Sequence, residues 1–209
     1  MSKVTYPDYW AIATLELAQR DEVMARLIQS YPNSVLSSRG QPFYTLIRSV
    51  VGQQISVKAA DSIWARFEIL VPKVTPNHVL AQSIDDLRNV GLSARKAEYI
   101  HAISQFFAQK RIGQSYWARR SDLEIITELS SIRGIGRWTA EMFLMFTLLR
   151  PNVFPVDDIG LLRGLEKNYH GERITPQVAK SLYFERFSPW ASVATWYLWR
   201  SLDPVEVQY

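Results

Sequence analysis

The chain has 209 residues, of which 47% are hydrophobic and 21% are charged, and this is the composition of a globular protein large enough to bury a sizeable core. Its 24 basic and 20 acidic residues give a formal net charge of +4, which permits a polyanionic partner without requiring one. The absence of cysteine excludes disulfides, zinc–thiolate sites and cysteine-ligated iron–sulfur clusters. No apolar run approaches the roughly 20 residues that span a membrane, and the N-terminus lacks the apolar core of a signal peptide. We therefore expect a cytoplasmic protein without membrane contact.

Helical patterns follow one another along the chain. The apolar residues of 43–51 recur at i, i+3, i+4, i+7 and i+8, which indicates one buried helix face. Further helix starts are marked by capping residues, namely Ser83 with Asp86, Ser93, Ser121 with Glu124, Thr175-Pro176 and Ser188-Pro189. Alternating strand patterns are scarce. We predict an all-α fold of two helical lobes, with residues 42–165 as a central lobe and 1–41 plus 166–209 as a terminal lobe.

The segment Leu129–Ala140 predicts two helices joined by a tight turn. The first helix ends near Ser130, Gly134-Ile135-Gly136 forms the turn, and a second helix starts at Arg137. Glycine lets the backbone approach a ligand closely, and the free N–H groups of the following helix start attract an anion. Thr139 would add a hydroxyl donor. The pattern favours a phosphate-binding hairpin, and a plain helix connector is the alternative.

Two adjacent acids, Asp157 and Asp158, stand where a loop enters the next predicted helix. Aspartate at this place is a common helix cap, and a catalytic carboxylate is the alternative interpretation.

Together these two motifs resemble the helix–hairpin–helix superfamily of base-excision DNA glycosylases. Ile132–Ala140 is similar to the superfamily's hairpin, and Asp158 follows Trp138 by 20 residues, the offset of the superfamily's essential aspartate. Four further stretches resemble the alkylation-repair branch, that of 3-methyladenine DNA glycosylase II: Val51–Val57, Val90–Glu98, Phe187–Ser192 and Trp196–Trp199. The resemblance covers about residues 42–202 and implies an active site in the cleft between the lobes.

Two departures from that branch are visible. The bacterial alkylation-repair enzyme carries a β-rich domain before its helical core, for which we expect this chain to have no room. In addition, Met142 stands where a tyrosine is expected near the start of the second hairpin helix.

The resemblance implies a role for each candidate residue. Asp158 would be the catalytic carboxylate, with Asp157 as the cap or a neighbour. Members of the superfamily that also cut the strand carry a lysine where this chain has Trp138, so the resemblance implies a monofunctional enzyme that uses water as its nucleophile. Gln54, or else Gln53, would fill the gap that a flipped base leaves.

The remaining expectations concern the base pocket, the phosphate contacts and cofactors. Trp138, Trp199 and Met142 would line the pocket, where an indole can stack on a cationic base. The hairpin would bind a DNA phosphate through Gly134, Gly136, Arg137 and Thr139. His78, His101 and His170 lack metal-ligand spacing, so we expect no metal bound by side chains and no cofactor, apart from a monovalent cation on hairpin carbonyls.

We therefore expect a monomer that acts on double-stranded DNA containing a damaged base, nucleoid-associated if the source is prokaryotic. Alkylated purines are the favoured lesions. Hypoxanthine or uracil is the alternative substrate, and a non-catalytic sensor of DNA damage is the alternative function.

Overall fold

The computed structural model describes residues 4–110, 112, 115–169 and 174–202. Within these ranges it contains α-helices, one π-helical turn and no β-strand, and only an isolated bridge joins Thr5 to Ser38. The predicted all-α fold is confirmed. Every helix in these ranges is too short or too polar to traverse a lipid bilayer.

The helices include four that begin one residue after the predicted caps Ser83, Ser93, Ser121 and Thr175. In chain order they are α1 Trp10–Arg20, α2 Glu22–Ser30, α3 Pro42–Gly52, α4 Val57–Leu70, α5 Pro76–Leu80, α6 Ile84–Asn89, α7 Ala94–Lys110, α8 Asp122–Ser130, α9 Arg137–Phe146, α10 Ile159–Asn168, α11 Pro176–Leu182 and α12 Ala191–Leu202. The π-helical turn, Tyr183–Phe187, lies between α11 and α12.

Local capping chemistry explains many of these boundaries. Complete capping boxes join Ser83 to Asp86 at the start of α6 and Ser121 to Glu124 at the start of α8. Each box satisfies two backbone N–H groups that would otherwise lack a partner. Ser188 does not cap the last helix, because α12 begins three residues later, at Ala191.

Residues Gly40–Phe143 form one compact unit. In this unit α3 packs against α4 and α7, and α7 also packs against α5 and α6. The predicted apolar face of α3 is buried, with Leu46, Ile47 and Val50 almost wholly inaccessible to solvent. The sequence periodicity of 43–51 therefore identified the correct side of this helix.

The described residues within 1–39 and 144–202 form the second compact unit. Its centre is α12, which packs against α1, α2 and α10. All residues from Ala191 to Leu198 are buried, so α12 is enclosed by its neighbours and needs no polar face over these two turns.

A buried carboxylate connects distant parts of this second unit. Asp21 caps α2 by accepting from the Met24 N–H at 2.9 Å, and it also accepts from Tyr169 at 2.8 Å and Arg186 at 2.9 Å. Burial alone would raise the pKa of the Asp21 carboxyl, but these hydrogen bonds and the Arg186 charge outweigh burial and lower it. The ionised carboxylate is thus the stable form in the fold.

The boundary between the two units differs from the expected position. The sequence places the end of the central lobe near residue 165, whereas the structure divides the chain between Phe143 and Leu144, within α9. Because α10 packs against α11 and α12, Asp158 belongs with the C-terminal helices.

Candidate active site

The hairpin between α8 and α9 is a tight turn built around Gly134. The Ile135 N–H donates to the Ile132 carbonyl at 3.0 Å, and Gly134 has φ +94°, a backbone conformation that side chains disfavour. A Cβ at Gly134 would lie 2.1 Å from the Tyr99 ring, so the residue also lacks room for one. Both the backbone and the packing of the unit therefore require glycine here.

The start of α9 presents the other hairpin residues. A Cβ at Gly136 would meet no protein atom within 4 Å, so packing does not require glycine at this position. Arg137 is an exposed cation that bonds the nearly buried Glu141 at 2.8 Å. Thr139 is only 5% exposed, so of the four predicted phosphate-binding residues it offers the least surface to a ligand.

Gln53 and Gln54 have different environments at the end of α3. The Gln53 side-chain amide donates to the Gly134 carbonyl at 3.3 Å, which ties this loop to the hairpin. Gln54 is exposed and has φ +57°, a left-handed conformation that is uncommon outside glycine. Such conformations concentrate at functional sites, because the surrounding structure must hold them in place.

Asp158 is the N-cap of α10. Its Oδ1 accepts from the Leu161 N–H at 2.6 Å and from Trp199 Nε1 at 2.9 Å. Of the two roles expected for Asp157, cap or neighbour, it has the second, since it is an exposed neighbour of the capping residue. The capping and catalytic interpretations of Asp158 do not exclude one another, since a cap fixes the direction in which the carboxylate points.

Two glycines bring Trp199 to this carboxylate. A Cβ at Gly164 would lie 2.8 Å from the Leu198 carbonyl, and a Cβ at Gly160 would lie 3.0 Å from both Asp158 Oδ1 and Trp199 Nε1. The two positions are one helical turn apart on α10 and face α12. Sequence reasoning missed them, although glycines spaced four residues apart on a helix are a recognisable sign of close helix packing.

The predicted pocket residues divide between the two compact units. Trp138 and Met142 lie one turn apart on α9; Trp138 is 39% exposed, and Met142 is buried at 3%. Trp199 lies in the other unit beside Asp158, where its ring stacks on Phe146 with 6.1 Å between centroids. Within one unit the structure thus brings together Gln53 and the hairpin, and within the other Asp158 and Trp199.

The expectation that no side chains bind a metal stays a prediction. No group of three or more His, Cys, Asp or Glu side chains that could hold a metal ion occurs in the described ranges. His170 lies outside those ranges.

Comparisons with known proteins place this chain in a family. Residues 47–189 match the family described as HhH-GPD superfamily base excision DNA repair protein. DNA-3-methyladenine glycosylase 1 of Schizosaccharomyces pombe is 32% identical over 196 residues, which cover 90% of this chain and 86% of that protein.

Solved structures agree with the sequence match. A DNA-3-methyladenine glycosidase from Bacillus halodurans is 31% identical, with a TM-score of 0.80 over 96% of this chain and 93% of that one. The 3-methyladenine DNA glycosylase of S. pombe in complex with abasic DNA is 30% identical, with a TM-score of 0.78 over 94% of this chain and 100% of that one. The resemblance inferred from the hairpin and Asp158 is confirmed: the chain belongs to the HhH-GPD superfamily of base excision DNA repair proteins.

Proposed function

We propose that this protein is a monofunctional DNA glycosylase that hydrolyses the N-glycosidic bond of alkylated purines such as 3-methyladenine and 7-methylguanine in double-stranded DNA. One observation carries the proposal. Two hydrogen bonds hold the Asp158 carboxylate in a fixed direction, and the hairpin before it has Trp138 at the position where the strand-cutting members of the superfamily have a lysine. The similar proteins named DNA-3-methyladenine glycosylases support the choice of lesion.

The reaction breaks the bond between the purine nitrogen and C1′ of the deoxyribose, and positive charge develops on the sugar. The Asp158 carboxylate stabilises this charge and accepts a proton from the water whose oxygen forms the new bond to C1′. The products are a free base and an abasic site. Trp138 has no amine, so it cannot form a Schiff base with the sugar and the strand stays intact.

Alkylated purines suit a site of this kind. A purine alkylated at N3 or N7 already carries positive charge, so it departs as a neutral base without a strong general acid. Trp199 orients Asp158 through its indole N–H. Trp138 is 39% exposed, and stacking a cationic base on an indole is worth about 1–2 kcal/mol when water is excluded.

The base must leave the helix before this chemistry, and Gln54 is the candidate to replace it in the stack. Its exposure and left-handed backbone support this role, since the side chain is accessible to a partner and such a backbone conformation is concentrated at functional sites. Flipping costs a few kcal/mol and costs less at a damaged pair, which adds to the preference for lesions.

The hairpin residues Gly134, Gly136, Arg137 and Thr139 are proposed to hold a DNA phosphate, and we expect one protein chain per lesion. The monovalent cation implied by the resemblance would bind main-chain carbonyls of the turn. The Ile132 and Gly134 carbonyls each accept one hydrogen bond within the protein, and each oxygen has a second lone pair. Comparing DNA binding in potassium and in tetramethylammonium at equal ionic strength tests for this cation.

The deciding experiment measures base release from methylated DNA, with the free bases identified by mass. Asp158→Asn keeps an oxygen for the Leu161 and Trp199 N–H groups but removes the charge, so we expect the fold and DNA binding to persist and base release to be lost. Asp157→Asn, one residue away and exposed, is the matched control and should keep full activity. Substantial release by Asp158→Asn, or no release by the wild type, would contradict the proposal.

A further inference from the structure

We propose that Gln53 is a positioning residue that fixes Gln54 relative to the phosphate-binding hairpin through its hydrogen bond to the Gly134 carbonyl. The inference rests on the proposed function, because it assigns a role to the neighbour of the residue that would enter the DNA stack. It removes Gln53 from the candidates for that inserted side chain.

The contacts at the end of α3 carry the argument. The Gln53 backbone N–H donates to the Val50 carbonyl at 3.3 Å, which closes the last turn of α3. Its side-chain Nε2 donates at the same time to the Gly134 carbonyl at 3.3 Å, across 81 residues of sequence. The backbone of Gln53 thus closes α3 while its side chain binds the hairpin. A side chain held in this way is not available to enter DNA.

Helix α7 contacts both segments that this hydrogen bond joins, the end of α3 and the hairpin. Lys96 Nζ donates to the Val51 carbonyl at 2.8 Å, and burial lowers the pKa of this lysine. One turn later the Tyr99 ring lies against Gly134, and Glu98 pairs with Arg133 at 2.9 Å. The end of α3 and the hairpin turn therefore both rest on the first two turns of α7.

Gln54 follows Gln53 directly, so one peptide unit of about 3.8 Å, the Gln53 side chain and one hydrogen bond connect Gln54 to the hairpin. Hairpin contacts to phosphate would set the register of the protein on DNA. Gln54 must then enter the base stack at a fixed distance from those phosphates. Loss of the Gln53 hydrogen bond would make this distance variable without weakening the contacts to phosphate. The strained φ of Gln54 is held by the same restraint.

The test measures how strongly the protein prefers a duplex with a tetrahydrofuran abasic-site analogue over an undamaged duplex, a readout that needs no catalysis. Gln53→Met keeps the side-chain length but removes the donor. We expect it to lower the preference about 5–10-fold, the factor for one hydrogen bond, and to change affinity for undamaged DNA less than about twofold. Gln54→Ala should lower the preference by at least as much.

The double variant decides the mechanism. If Gln53 acts through Gln54, adding Gln53→Met to Gln54→Ala lowers the preference no further. A product of the two single effects, or a loss with Gln53→Met but none with Gln54→Ala, overturns the inference, as does a Gln53→Met variant that behaves like wild type.

A second variant and a second measurement distinguish loss of the Gln53 hydrogen bond from loss of folding in Gln53→Met. Gln53→Asn keeps the amide but shortens its reach by one methylene, and it should reproduce the Gln53→Met result. In the free protein, hydrogen exchange at residues 54–57 should be faster in both variants, and unchanged exchange overturns the inference. Failure of the proposed function is separate, because it appears as wild-type protein that prefers abasic-analogue DNA but releases no base.

Discussion

Gly160→Ala should slow base release without destabilising the protein. The added Cβ would lie 3.0 Å from both Asp158 Oδ1 and Trp199 Nε1, two atoms joined by a 2.9 Å hydrogen bond. An ordinary contact needs at least 3.4 Å, so both the carboxylate oxygen and the indole nitrogen must move by roughly 0.4 Å relative to the new Cβ. Because a 1 Å misplacement of reacting groups costs about 100-fold, this shift corresponds to a loss of about 6-fold.

Stability changes little in this variant, because two effects oppose each other. Replacing glycine by alanine gains about 1 kcal/mol in helix propensity in a helix interior, and the smaller gain at Gly160, the second residue of α10, partly offsets the tight contact with two movable side chains. We would measure base release in single turnovers with excess enzyme, using DNA with one 7-methylguanine, and unfolding by denaturant in parallel.

Gly164→Ala is the matched control. Its Cβ would lie 2.8 Å from the Leu198 carbonyl, a backbone atom that moves only if α12 moves. This variant should lose stability, and its activity should fall with the folded fraction. Activity of Gly160→Ala within twofold of wild type would refute the argument that the contact between Asp158 and Trp199 sets the rate.

Three further outcomes follow from the described contacts. Asp21→Asn should destabilise the fold by about 1–3 kcal/mol at neutral pH. Because the pKa of Asp21 is lowered in the folded state, the stability that its carboxylate contributes is complete above the unfolded pKa and is lost as pH falls through the folded pKa. The free energies of unfolding of variant and wild type, measured with denaturant, should therefore converge in acid, and a difference that stays constant with pH would contradict this. Gly134→Ala should lower the free energy of unfolding by at least about 2 kcal/mol, because it combines a positive φ with a clash against the Tyr99 ring. Gly136→Ala should fold normally and lose only DNA affinity. Equal stability of the two variants in denaturant would refute this. Trp138→Ala should reduce the discrimination between alkylated and normal purines in competition assays, and unchanged discrimination would remove this residue from the pocket.

Much of the fold follows from short-range patterns in the sequence. Helix starts such as Ser83 and Ser121 depend on bonds that span three residues, and the buried face of α3 depends on spacing within 11 residues. The need for glycine at position 134 is also local, because a tight turn between two helices demands a positive φ. The family could be inferred because two local motifs occur at a fixed separation along the chain.

The arrangement of the candidate site depends on contacts between residues that are far apart in sequence. Trp199 meets Asp158 across 41 residues, and Gln53 meets Gly134 across 81. No local spacing encodes these pairs, because the packing of α10 on α12, and of α3 and the hairpin on α7, determines which side chains come within reach. The choice of Asp158 over Asp157 as the cap also depended on where α10 begins. The sequence by itself thus determined the helices, the hairpin and the position of the proposed catalytic carboxylate. Only the tertiary structure decided how that carboxylate is held and which glutamine is restrained, because hydrogen bonds between distant residues form only when packing brings their helices together.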